Sequence, residues 1–318
     1  MKRALALLVF LTSAAFTCTA FAQSRELKPI RFMYQTTTFG APIFVALTKG
    51  WYEEALNKVG YTLKTKSAIF GPPIIQAMAA GDVDVGEIGV APVVVAEARG
   101  LPIKILMTTN IGGEAIVVNK DSLIKSIKDL KGKKIAIPAK GNMQDFIIRR
   151  ALLENGLNPD SDVTWVELGP ADMSTALIRN QIDAAVLWEP WTARLVLQGQ
   201  RVLASGNAIW PNHDNQVIAG TEAAIRDDAP AVRAIVEQTH RGLKYILDNP
   251  DESISLTAKF LGIERPIVAE SWKMMIRRPS GEPNGKSLQE FADALLKWGY
   301  IKRKITQRDM VDDRFLKR

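Results

Sequence analysis

Covalent or metal chemistry would have to come from very few groups in this chain of 318 residues. It holds two histidines, His213 and His240, and one cysteine, Cys18. So few histidines leave no serine–histidine–aspartate order to argue, and no G-x-S-x-G elbow presents a serine nucleophile. No histidine–carboxylate spacing suggests zinc. The stretch GEPNGKS (281–287) imitates a phosphate-binding loop. That loop needs four residues between its glycines, and Gly281 and Gly285 enclose three. No apolar strand leads into it. It reads better as a turn followed by a helix, with Ser287 and Glu290 spaced as a capping box. The residues therefore predict no catalytic centre, no metal and no cofactor. What remains is non-covalent binding.

Binding groups need elements to hold them. Ten segments carry strand patterning: 29–35, 62–68, 83–89, 102–109, 114–120, 133–138, 163–168, 182–188, 201–205 and 216–221. Helical stretches lie between them at 41–57, 72–80, 91–99, 143–156, 172–180 and 190–198. This alternation predicts an α/β fold with largely parallel pairing. Beyond Glu222 the pattern is nearly all helix. DAPAVRAIVEQTHRGLKYILDNP has apolar residues at helical spacing, and DESISLTAKFLG opens with acids and stops at Gly262.

Two phrases repeat. AMAAGDVDVGEIGVAP (77–92) and ALIRNQIDAAVLWEP (176–190) each read as a helix end, a tight turn and a strand carrying one aspartate. Asp84 and Asp183 stand 99 residues apart. An aspartate inside a strand needs a partner, so both are expected to serve the fold at equivalent places in two related lobes. Glu87, which interrupts an apolar strand, is expected to make a structural hydrogen bond. The segment 121–138 opens a second lobe. The chain returns after 207–216, where Pro211 and a polar cluster interrupt regular structure. Lobe one is then 26–112 plus 217–318, and lobe two is 113–216, with two crossings forming a hinge. Ligands of such lobes bind at the carboxyl ends of strands, in the crevice between them. His213, in the return loop, is within reach of that crevice.

At the amino end, Lys2 and Arg3 precede the apolar run ALALLVFLTSAAF, and Ala20-Phe21-Ala22 sets small residues before Gln23. This predicts a secretory signal peptide over 1–22, too short for a comfortable membrane span. Ala15-Phe16-Thr17 before Cys18 is a poor context for a lipid anchor. Cleavage would leave a chain without cysteine, held by its core and long enough for two lobes. It would take the 41 basic residues to 39 against 34 acidic ones, a net of +5. The excess is spread out and argues against nucleic acid as a partner.

Four phrases in order point to a family: MYQTTTFGAPIFVALTKGWYEE, GPPIIQAMAAGDVDVGEIGVAP, VNKDSLIKSIKDLKGKKIAIP and QIDAAVLWEPWTARL. They resemble the periplasmic solute-binding proteins of the nitrate/sulfonate/taurine ABC-importer family. The resemblance covers about residues 30–195. It implies a two-lobe type-II periplasmic binding protein fold with a hinge, here with a helical C-terminal tail. It also implies a monomeric receptor that captures a small solute and delivers it to a membrane permease with an ATPase behind it. Two other readings stay open: an enzyme of the related branch that binds pyrimidine precursors or builds the thiamin pyrimidine, and a sensory ligand-binding subunit. The export signal opposes the first.

The resemblance also implies where a ligand would sit. Gln35, Thr36, Thr37 and Phe39 belong to the loop after the first strand, and Phe70 to the next loop. Gly89 and Val90 begin a helix whose N–H groups suit an anion. Gly113 and Glu114 fall at the first crossing. Asn142 and Met143 stand where sulfonate binders of the family place small hydroxyl residues, a departure that removes hydroxyl donors. Trp188 and Glu189 form the opposing loop, and Trp210 lies in the return. A sulfonate, a nitrate-like anion, a small carboxylate and a pyrimidine-like heterocycle all remain candidates.

Overall fold

The computed structural model describes residues 26–316. The expected signal peptide and Cys18 lie outside the described residues. The strands are β1 (Lys28–Gln35), β2 (Tyr61–Ala68), β3 (Val85–Gly89), β4 (Ile103–Gly112), β5 (Glu114–Val118), β6 (Lys134–Ile137), β7 (Thr164–Glu167), β8 (Ala184–Trp188), β9 (Arg201–Ser205), β10 (Asp214–Thr221) and β11 (Met275–Ile276). They form two sheets. One is six-stranded in the order β11-β4-β10-β3-β1-β2, the other five-stranded in the order β7-β6-β8-β5-β9. The α/β architecture expected from the strand–helix alternation is found, but the pairing is not largely parallel as expected: β10 and β5 each run against both neighbours, and β11 runs against β4, so antiparallel pairs are as much a part of the sheets as parallel ones.

Direction within the sheets sets up everything that follows. β1, β2 and β3 are parallel, and β10 runs antiparallel between β3 and β4. β4 therefore points the same way as β1 and β3. In the second sheet β6, β7 and β8 are parallel, while β5 runs against β8 and β9. β8, and β5 after Glu114, are apolar along their length because helices cover both faces. β2, at an edge, instead exposes Lys64 and Lys66, charges that discourage strand addition.

The repeated phrases fold alike. Asp84 N–H donates to Arg31 O at 2.9 Å, and its carboxylate accepts from Arg31 N–H at 2.7 Å and Nε at 2.8 Å. Asp183 N–H donates to Lys134 O at 2.9 Å and accepts from Lys134 N–H at 2.8 Å. Each aspartate thus ties the start of its strand to the strand beside it, β3 to β1 and β8 to β6. The turns before them match too. Gly81 and Asn180 both take positive φ, and Asp82 and Gln181 donate back to Ala77 and Ala176, each at 2.8 Å.

Three further expectations need correction. The stretch 41–57 is two helices, Ala41–Thr48 and Trp51–Lys58, because Gly50 turns left-handed at φ 69°. The C-terminal third is not all helix: β11 adds to the edge of the first sheet, and two residues are too short to show a period. The helix Gly285–Lys297 is capped by Asn284, whose side chain accepts from Ser287 N–H at 3.3 Å. Ser287 lies inside that helix. It is buried, and its hydroxyl accepts from Asp214 N–H at 3.3 Å.

The helix Met143–Glu154 joins the two halves of the core. Ile148, Ala151 and Leu152 pack on the second sheet. Met143, Phe146 and Ile147, on its other side, pack with Leu288 and Phe291 of the helix Gly285–Lys297. Phe146 and Phe291 meet edge to face at 5.1 Å.

The clamps yield a prediction. Asp84→Ala leaves the Arg31 N–H unpartnered and strips the Arg31 side chain of its carboxylate, leaving it only the Gly81 carbonyl, and should cost about 2 kcal/mol in urea unfolding. Asp183→Ala removes a single backbone bond nearer solvent and should cost about 1 kcal/mol. An Asp84→Ala protein of unchanged stability would show that the clamp does not hold β3.

Candidate functional site

The carboxyl ends of the two sheets face each other because β4 runs into β5 through a single residue. Gly112 and Gly113 both take positive φ, 62° and 100°. A Cβ on Gly113 would lie 2.4 Å from the Phe39 ring, so no other residue fits there without displacement. On one side of this crossing lie the ends of β1, β3 and β4 and the start of β10. On the other lie the ends of β6, β8 and β9 and the start of β5. This is where open α/β sheets bind ligands.

The first rim is built from Gln35, Thr36, Thr37, Phe39, Gly89 and Val90. Gln35 knits it together: its N–H donates to Glu87 Oε2 at 2.9 Å, and its side-chain oxygen accepts from Gly89 N–H at 3.0 Å. Asn110 and Gln216 are register partners beside Gly89. Thr36 is exposed and Thr37 buried. Phe39 is buried beneath the crossing, whereas Phe70 is half exposed in the next loop.

The second rim holds Glu114, Trp188 and Glu189. Glu114 pairs with Trp188 across β5 and β8. Glu189 is fully buried; Oε2 accepts from Ala193 N–H at 3.2 Å and from the Ser271 hydroxyl at 2.7 Å. It thus caps its own helix and fastens the helix Arg265–Met274 to the second sheet. Burial, only partly offset by those donors, pushes its carboxyl up to about 7.

Other sequence-predicted residues sit deeper in the protein. Asn142 caps the helix Met143–Glu154, accepting from Asp145 N–H at 2.9 Å, and Met143 is buried in the core shared by both halves. Trp210 is 4% exposed, stacks on His213 at 4.9 Å and donates from its indole to Glu290 at 2.8 Å. His213 and Glu114 form a fully buried pair at 3.0 Å. Both ring nitrogens face oxygens, Trp210 O and Glu114 Oε2, an arrangement that favours the charged imidazolium. Burial opposes that charge, but Glu114 and the Trp210 carbonyl together hold the imidazole above its usual range.

Several buried polar atoms near the crossing have no hydrogen-bond partner among the described residues. On the first rim they are Thr37 Oγ1, Thr38 Oγ1, Asn110 Oδ1 and Gln216 Oε1. On the second they are Glu114 Oε1, Glu189 Oε1 and Thr192 Oγ1. Arg277, which follows β11, likewise has an unpartnered Nε, and burial pulls its guanidinium down to about 9. Sequence reading did not reach Asn110, Gln216 or Arg277. No local motif marks them; sheet register alone brings the first two together. A separate surface groove between the helices Trp51–Lys58 and Ala229–Asp248 lies at the opposite end of β1, where Lys28 pairs with Asp228.

Comparison with known proteins gives a consistent picture. The NMT1-like family model matches residues 23–262. A Bacillus subtilis protein, named provisionally as an aliphatic sulfonates-binding protein, is 28% identical over 100% of this chain and 97% of its own. The taurine-binding periplasmic protein of Escherichia coli is 30% identical over 64% of this chain and 65% of its own. In three dimensions the Escherichia coli periplasmic aliphatic sulphonate binding protein SsuA superposes with a TM-score of 0.79 at 23% identity, over 90% of this chain and 92% of its own.

Glu87 provides the pH test. It is fully buried, and burial raises its carboxyl from 4.5 to about 8, against the single Gln35 N–H that favours the charged form. The native state then binds the proton more tightly than the unfolded chain, so this group's contribution to stability declines as pH rises from 4.5 to about 8. Glu87→Gln keeps the acceptor for Gln35 and cannot ionise. It should match the wild type at pH 5 and exceed it by ~3–5 kcal/mol at pH 8.5 in urea unfolding. Equal differences at both pH values would place Glu87 outside this account.

Proposed function

The chain belongs to the NMT1-like family, and from that premise we propose that it is the extracytoplasmic solute-binding component of an ABC importer. The observation that carries this reading is the meeting of two strand-end rims across Gly113, each lined by buried polar atoms without protein partners. Leaving one such atom unsatisfied costs about 1–3 kcal/mol. A solute held between the rims would supply the missing partners from both sides at once.

Residues 26–112 with 217–318 then act as one lobe and 113–216 as the other. The solute is a small anionic or strongly polar organic molecule of the sulfonate, taurine or nitrate type. The names of its relatives, sulfonate- and taurine-binding proteins, support that range. The cleaved protein works in the periplasm as a monomer and hands its solute to a permease with its ATPase. A binding role rather than an enzymatic one agrees with the histidines: His213 is locked in a buried pair, and His240 Nε2 contacts Pro279 O at 2.8 Å.

The test is a thermal-shift screen of mature protein over sulfonates, nitrate, small carboxylates and pyrimidines. A solute at 100 times its Kd should stabilise the protein by roughly 2.7 kcal/mol. Trp188, half-buried on the second rim, should contribute packing. Trp188→Ala should weaken that solute by ~2 kcal/mol, roughly thirtyfold in Kd, and shrink the fluorescence change on binding. If Trp188→Ala binds the solute as the wild type does, and changes at Thr37 also have no effect, the solute binds elsewhere.

A further inference from the structure

Among the described residues, buried or largely buried arginines elsewhere have anionic partners. Arg149 pairs with Asp145 at 2.8 Å and with Asp160 at 2.9 Å, and Arg278 pairs with Asp214 at 3.0 Å. Arg277 is different. It is 9% exposed and forms no ion pair among the described residues. Its Nη2 contacts only the Met275 sulfur, at 3.7 Å, and its guanidinium carbon lies 4.4 Å from the centre of the Trp272 ring. A buried cation without a counter-charge is costly, and a thioether and a ring face offset only part of that.

Its place in the fold gives it a use. β11 pairs Met275 with Gly112 and Ile276 with Ile111, so Arg277 follows directly after the strand that edges the end of β4. Met275 lies 3.3 Å from where a Gly113 Cβ would be, and the Phe39 ring approaches the same point. Arg277 therefore follows the edge strand at the crossing, with Asn110 on the neighbouring strand β4 and Gln216 beyond it on β10; the unpartnered oxygens of these two and the unpartnered hydroxyls of Thr37 and Thr38, after β1, belong to the same sheet end. The ring below and the sulfur beside it hold the fork in position while engaging one of its five N–H donors.

We propose that Arg277 is the counter-charge for the solute's acidic head, so that the solute is a small organic acid whose oxyanion sits on this guanidinium. This rests on the reading of the protein as a solute receptor. The oxyanion supplies the missing negative charge, and the threonine hydroxyls donate to it. Asn110 and Gln216 accept from N–H or O–H groups elsewhere on the same molecule, which favours an amino or hydroxy acid over a bare inorganic anion.

The test uses mature protein, its Arg277→Met and Arg277→Lys variants, and sodium ethanesulfonate, taurine, glycolate and nitrate against equal sodium chloride. In chloride alone Arg277→Met should melt at or above the wild-type temperature, because it removes an unpaired buried charge. At least one organic acid should raise the wild-type melting temperature, and Arg277→Met should lose that response. Arg277→Lys keeps the charge without the fork and should bind the same acid at least tenfold more weakly. A less stable Arg277→Met in chloride, or an undiminished response to the acid in that variant, would overturn the proposal. So would a wild type that no acid stabilises. Native mass spectrometry of the protein as purified separates this failure from that of the receptor reading. A neutral or cationic small molecule retained by both wild type and Arg277→Met leaves a receptor without this anchor. The absence of any bound molecule, together with no thermal response, removes both.

Discussion

The architecture depends on one short passage of backbone. β4 reaches β5 through Gly113 alone, with Gly112 and Gly113 both left-handed and Phe39 packed where a side chain would otherwise stand. This passage turns the strand ends of one sheet towards those of the other. Without it the two rims would not oppose each other, and the buried polar groups on each would face no common space. Phe39 thereby couples the loop after β1 to the crossing itself. That loop is the one carrying Thr37 and Thr38.

Packing elsewhere limits how the halves can move. The helix Met143–Glu154 buries Met143, Phe146 and Ile147 against the helix Gly285–Lys297, and Glu189 is tied to Ser271. The Glu114–His213 ion pair and the Arg278–Asp214 pair bracket the return from the second sheet to the first. These contacts are apolar, hydrogen-bonded or largely buried ionic ones, which are costly to break. Opening and closing are therefore expected about the crossings, with the shared core moving least and the rims of Thr36, Phe70 and Trp188 moving most.

Much of this was legible in the sequence, for physical reasons. Period-two apolar segments bounded by turns located ten of the strands, and the two aspartates announced the strand clamps because a carboxylate inside a strand must find donors. Asp84 and Asp183 found them at matching backbone positions. Long-range register was not legible. Asn110 and Gln216 lie far apart in the chain and become neighbours only when β10 inserts between β3 and β4. β11 was invisible because two residues carry no period. With it went Arg277, whose surroundings look like a solvated basic pair until the strand places it. Trp210 shows the converse: an aromatic in a polar loop suggests a ligand platform, yet its ring and indole N–H are engaged by His213, Phe146 and Glu290.

The central claim is that one solute is held by both strand-end rims at once. Amide hydrogen exchange by mass spectrometry, with and without the acid that most raises the melting temperature, tests this directly. The account predicts slowed exchange in two separate regions together, 35–40 with 89–91 on the first rim and 112–115 with 188–190 on the second. Protection confined to one rim, or appearing instead along the groove between the helices Trp51–Lys58 and Ala229–Asp248, would contradict it.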